Sequence, residues 1–133
     1  MNRIFDMLAR LASLLYQQQF IIAGTRDEYV LPDQLLSEVI SYINTMLSNS
    51  KFSRTLTENQ LEELAGMLHN FERLSSQIPF DDESVSNEEL VLQNQYWIDA
   101  RKLAFGFLEN SGFDIKKWEK NNCRSDKGSK PYS

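Results

Sequence analysis

Twice along this chain a hydroxyl residue stands three positions before a Gln or Glu, with a hydrophobic residue directly in front of it. Leu56-Thr57 leads to Gln60, and Val85-Ser86 leads to Glu89. This is the capping box, in which the hydroxyl accepts from the third helical amide and that residue's side chain returns to the amide of the cap. Leu56 with Leu61, and Val85 with Leu90, supply the hydrophobic staple across each start. Two helix starts are thereby fixed in register, and the apolar spacing between and around them is helical too.

After Thr57 the apolar positions Leu61, Leu64, Ala65, Leu68, Phe71 and Leu74 form one stripe, and Glu58, Glu62, Glu63 and Glu72 face outward. That helix must stop before Pro79. After Ser86 a helix is expected from about Asn87 to Asn110, with Leu90, Tyr96, Trp97, Ala100, Leu103, Ala104, Phe107 and Leu108 on its apolar face. Tyr96 and Trp97 are neighbours, about 100° apart on the helix, so both read as core with one of them reaching the surface. Gly112 suits the position just past the end. Upstream, Pro32 opens an amphipathic helix to about Leu47. The first helix, about Arg3 to Ile22, shows polar residues Arg3, Asp6, Arg10, Ser13 and Gln17 in one narrow stripe and is apolar elsewhere. Phe20 to Ile22 has strand-like character, and Gly24 fits a helix end. Gly66 and Gly106, inside two helices, point to close helix crossings.

With 133 residues, 41% of them hydrophobic, the chain suffices for one domain without disulfide or metal staples. The expected fold is all-α: a compact bundle of four main helices, a short C-terminal turn packing Phe113, Ile115 and Trp118, a single domain over 1–119, and a flexible basic tail over 120–133.

Composition excludes several chemistries. Cys123 and His69 are single, so an internal disulfide, a Cys-Cys redox motif and a multi-histidine metal site are all ruled out. One free cysteine suits a reducing compartment. His69 has Ala65 and Arg73 at its helical neighbours, not a carboxylate, and reads as a surface or boundary residue. Cys123 lies near Lys120 and Arg124, which are expected to lower its pKa. The five glycines are too scattered for a phosphate-binding loop, and Asp81-Asp82-Glu83 lacks the alternation of a calcium loop. No cofactor and no metal are expected. No targeting segment is read, and no apolar run approaches the roughly 18 residues of a membrane span, so a cytoplasmic protein with no membrane role is expected.

Charge is the informative feature. From Met1 to Ile115 there are 8 Lys/Arg and 17 Asp/Glu, whereas Lys116 to Ser133 holds 6 basic and 2 acidic residues. Between Glu58 and Glu89 nine carboxylates face Arg73 alone, a net −8. Such a stretch steers basic partners in and repels nucleic acid. The plain alternative is a solvated, solubilising surface.

The acidic set Glu58, Glu62, Glu63, Asp81, Asp82, Glu83, Glu88 and Glu89, on a small helical domain, resembles the immunity proteins and antitoxins of bacterial competition systems, including contact-dependent growth inhibition. The resemblance is one of type and carries no aligned site residues. It implies a non-enzymatic acidic binding protein that neutralises a basic partner, a nuclease toxin domain, by an acidic face between the third and fourth helices. The alternative is a self-associating regulatory or structural helical module, a homo-oligomer joined through Trp97 and Phe107. An enzyme is the third possibility, and the single histidine weighs against it.

Overall fold

Both expected helix starts are present, and the first is complete. Thr57 Oγ1 accepts from the Gln60 amide at 3.1 Å while Gln60 Oε1 accepts from the Thr57 amide at 2.9 Å. Ser86 Oγ accepts from the Glu89 amide at 3.1 Å, which is the forward half of the second box. In this computed structural model residues 3–24, 29–49, 51 and 54–123 are described. They form α1 (Arg3–Ala12), α2 (Leu14–Gln17), a π-helical turn (Gln18–Ile22), α3 (Pro32–Ser48), α4 (Glu58–Ser75), α5 (Asn87–Gln93), α6 (Gln95–Asn110) and α7 (Ile115–Asn122), with no strand among the described residues. The protein is all-α, as its periodicity required.

Two of the four expected helices are broken, each at a capping residue. The first ends at Ala12, where Ser13 turns extended and its Oγ accepts from the Tyr16 amide at 3.0 Å. The strand-like Phe20–Ile22 stretch is the π-helical turn instead. The last long helix breaks at Asn94, whose Oδ1 accepts from the Trp97 amide at 3.1 Å. The α6 end is as expected: Gly112 takes φ +74, the left-handed region that glycine adopts freely. Its amide bonds Glu109 O and the Phe113 amide bonds Leu108 O, the paired arrangement that closes a helix C-terminus.

Packing explains the breaks. α1 lies against α6 and α3, and α4 lies against α3 and α6, around a core in which Trp97, Phe71 and Phe107 are fully buried. Ser13 and Gln17, two members of the narrow polar stripe, are buried. Gln17 Oε1 accepts from Trp97 Nε1 at 3.0 Å and from Arg101 Nη1 at 3.3 Å, while its Nε2 donates to the carbonyls of Arg10 and Leu11. Ser13 Oγ donates to Glu119 on α7 at 2.5 Å. Trp118 Nε1 donates to Asp6 on α1 at 2.9 Å, and the Trp118 ring lies 5.6 Å from that of Tyr16. The expected C-terminal turn is thus a helix clamped at two points, and it extends through Asn122 into the stretch assigned to the tail. The rest of that tail, 124–133, lies outside the described residues.

Two details of the buried faces differ from expectation. On α4 Met67 is buried where Ala65 was expected, so the stripe runs Leu64, Met67, Phe71, Leu74. Gly66 and Gly106 mark no close crossing: a Cβ built on either meets nothing within 4 Å.

Replacing Gln17 with Leu leaves the buried Trp97 indole and the half-buried Arg101 guanidinium without this acceptor. The expected cost is about 3 kcal/mol of unfolding free energy in a urea titration. Gly66→Ala and Gly106→Ala are each expected to stabilise the fold by about 0.5–1 kcal/mol, because the helix gains a better former at no steric cost.

Candidate functional site

The eight acidic residues do not form one face. Glu58, Glu62 and Glu63 sit at the start of α4, and Asp81, Asp82 and Glu83 follow its end. At 1.5 Å per residue about 18 Å of helix separates Glu63 from the end of α4. The first group lies where α4 begins beside the end of α6, as Gln60 Nε2 donates to Ser111 Oγ at 3.1 Å and Asn110 Nδ2 to Glu63 Oε2 at 3.4 Å. The second group shares the opposite end with Glu88 and Glu89 on α5. Between the groups, α4 and α6 line an open groove of about 360 Å³ with Arg73, Lys102 and Asp99, so cations interrupt what the sequence presented as a continuous acidic run. The expected face between the third and fourth helices is therefore two separate acidic groups.

The loop that carries the second group is anchored. Ile78 is buried, and the Phe80 ring meets Trp97 edge-on at 6.2 Å. Backbone bonds Phe80 N to Ile78 O, Asp82 N to Pro79 O and Val85 N to Asp82 O tie successive turns. Asp82 Oδ1 accepts from the Ser84 hydroxyl at 2.6 Å and from the Ser84 amide at 2.9 Å. These two bonds favour the ionised form and hold the Asp82 carboxyl below its ordinary pKa. Asp81, Asp82, Glu83, Glu88 and Glu89 are all exposed. Among the described residues the one ion pair is Arg10 with Asp6, at 3.2 Å, so none of those five carboxylates is in an ion pair with another described residue.

Two grooves flank α5. Gln18, Ile22, Ala23, Glu88 and Leu92 line one of about 310 Å³, and Pro79, Val85, Glu89, Gln93, Asn94 and Gln95 line one of about 260 Å³. Leu92 is 40% exposed. Leu92 is not among the apolar positions expected for this stretch, and on the short helix it stands outside the buried pair Leu90 and Val91. Of the aromatic neighbours, Trp97 is fully buried and Tyr96 reaches the surface, as their angular separation implies.

The single thiol and the single imidazole are carried by different parts of the fold. His69 is exposed on α4. Cys123 follows α7, packs against the core, and its thiol is pushed up to about 11, the reverse of the expected effect of nearby cations. Burial is the main cause, the Glu119 carboxylate adds to it, and a hydrogen bond with Ser13 offsets part. Among the described residues no group of three His, Cys, Asp or Glu is placed to hold a metal ion. Among them too, no helix is long and apolar enough to cross a membrane.

No protein-family model matches the chain, and comparison with curated proteins and with solved structures gives no match.

Cys123 is expected to alkylate far more slowly in the folded than in the unfolded protein at pH 9, with the two rates converging as the pH passes about 11. The thiolate is the reactive form. Because the folded pKa is raised, the stability tied to this thiol is fully present below the unfolded pKa. It is lost as the pH rises through the folded one.

Proposed function

We propose that this chain is a non-enzymatic binding protein for a basic protein partner, of the immunity or antitoxin kind, and that it docks by the end carrying Asp81, Asp82, Glu83, Glu88 and Glu89. One observation carries this: five exposed carboxylates gathered at one end of the molecule, none of them in the ion pair found among the described residues. Like charges at this density repel one another, and an approaching cationic surface relieves that repulsion. A nuclease domain built to hold phosphates presents such a surface, so occupying it competes with its substrate. The protein itself carries out no reaction in this scheme and needs no cofactor.

Self-association remains the alternative, but not through the residues expected for it. Trp97 and Phe107 are 0% exposed, so neither can reach a second copy without unfolding the core.

The test is purification of the tagged chain from its own host, native mass spectrometry of what accompanies it, and kinetics on the purified pair. One basic polypeptide at one-to-one stoichiometry is expected, with an association rate that falls as salt is raised. Paired reversals Asp82→Lys and Glu88→Lys should slow association about tenfold, because they act on steering more than on the fold. Reversal of Glu58, Glu62 and Glu63 should have the smaller effect. Unchanged affinity on the Asp82 and Glu88 reversals, or a bare homo-oligomer in the spectrometer, sinks the proposal.

A further inference from the structure

The grooves of this molecule differ in sign. The one between α1 and α3 carries Arg3, Arg10 and Glu38, and a smaller one beside it shares Arg10 and Glu38. The one between α4 and α6 carries Arg73, Lys102 and Asp99. Each of these carries charges of both signs. The two grooves beside α5 are different: among the described residues Glu88 is the one charged residue lining the first, and Glu89 the one lining the second.

The first of these grooves is also apolar and firmly built. Ile22 and Ala23, at the end of the π-helical turn, make one wall, and Leu92 makes the other. A π-helical turn is an uncommon conformation that recurs at functional sites. Here its carbonyls are secured from outside. Phe20 O accepts from the Val30 amide at 2.8 Å, and Ile21 O from Asn87 Nδ2 at 3.5 Å. The same Asn87 amide donates to the Tyr29 hydroxyl at 2.8 Å, which ties Tyr29, 48% exposed, to the start of α5. Leu92, which shares the groove with Glu88, and Tyr29, bonded to Asn87, both stand exposed. Apolar side chains at that exposure beside an uncompensated carboxylate suit a partner group that is apolar with a cation next to it.

We propose that the groove formed by Ile22, Ala23 and Leu92, rimmed by Glu88, is the anchor pocket of the docking surface. It takes an aliphatic side chain of the basic partner that is flanked by Lys or Arg. This rests on the proposed binding of a basic protein and adds to it the apolar contact that fixes register. Charge alone brings a basic surface to the acidic end in many orientations. An aliphatic anchor seated beside Leu92 selects one, with a flanking cation meeting Glu88 and the next reaching Glu89 across the ridge of α5.

The test uses two synthetic probes and the full chain. One is a short Lys/Ser peptide, and the other is the same peptide with one Leu set between two Lys. Amide chemical shifts are followed by NMR at low salt. The Leu peptide is expected to shift Ile22, Ala23 and Leu92 and to bind about tenfold more tightly than its parent, the gain from burying one aliphatic side chain. Leu92→Ser, at a half-exposed position that leaves the core intact, should remove that tenfold gain and leave the parent peptide unchanged. Glu88→Gln should weaken both. Equal binding of the two peptides, an equal loss of both on Leu92→Ser, or Leu-specific shifts around Glu58–Glu63 would overturn the anchor while the basic-partner reading stands. Failure of both peptides to bind at low salt would overturn both.

Discussion

The side-chain amide of Gln17 joins more of this structure than any other single group. Its Nε2 donates to the carbonyls of Arg10 and Leu11, which an unbroken helix would pair with the amides of Leu14 and Leu15. Its Oε1 accepts from the indole of Trp97 and the guanidinium of Arg101, both on α6. The break after α1 is therefore tolerated because one buried amide takes over the carbonyls it leaves, and the same amide sets where α6 lies. Arg101 Nη1 continues the chain of bonds to Val91 O at 2.9 Å, beside the break at Asn94. Burial lowers the Arg101 pKa from its ordinary value, but the guanidinium remains charged and so needs these acceptors. A buried amide left unsatisfied on either side would cost more than one hydrogen bond contributes, so the two breaks and the α1–α6 contact stand or fall together.

This accounts for what was legible in the sequence and what was not. α3 starts at Pro32 and ends one residue past the expected Leu47, and α4 starts where its capping box puts it, because Pro32 and the Thr57–Gln60 box act locally. Ser13 and Gln17 fall on a regular polar stripe, and from spacing alone a stripe of that kind faces water. Their partners are Glu119 and Trp97, in sequence far beyond any local window. Ser13 and Asn94 are nevertheless residue types that favour caps over helix interiors, so each break had a visible marker that periodicity outweighed. Gly66 and Gly106 illustrate the opposite error. An open surface tolerates glycine as readily as a tight crossing requires it, and sequence does not distinguish the two.

The candidate site was legible in composition and not in arrangement. A net −8 over Glu58–Glu89 is a fact of sequence, but a helix as long as α4 separates its ends, and Lys102 arrives between them from a different helix. Phe80, which holds the acidic loop against Trp97, and Leu92, which stands beside Glu88, gave no periodic signal. Each matters through a neighbour that only the fold supplies.

The two acidic groups also differ in what the fold gains from them. Glu58 lies in the first turn of α4, where the helix dipole favours negative charge, and Glu63 meets Asn110. Glu88 and Glu89 have the same favourable place in α5. Asp81, Asp82 and Glu83 lie in the loop between the end of α4 at Ser75 and the start of α5 at Asn87, outside the first turn of either helix, and so gain nothing from a helix start. Asp82 is held by its bonds to Ser84, which shape the loop. Asp81 and Glu83 gain no such compensation from a helix start, and their repulsion with Asp82 opposes folding. Charge kept where the fold does not benefit from it weighs toward a use outside the fold. That is why the docking reading is centred on the Asp81–Glu83 loop, with Glu88 and Glu89 beside it serving both the start of α5 and the same surface, whereas Glu58 is accounted for by the helix it begins.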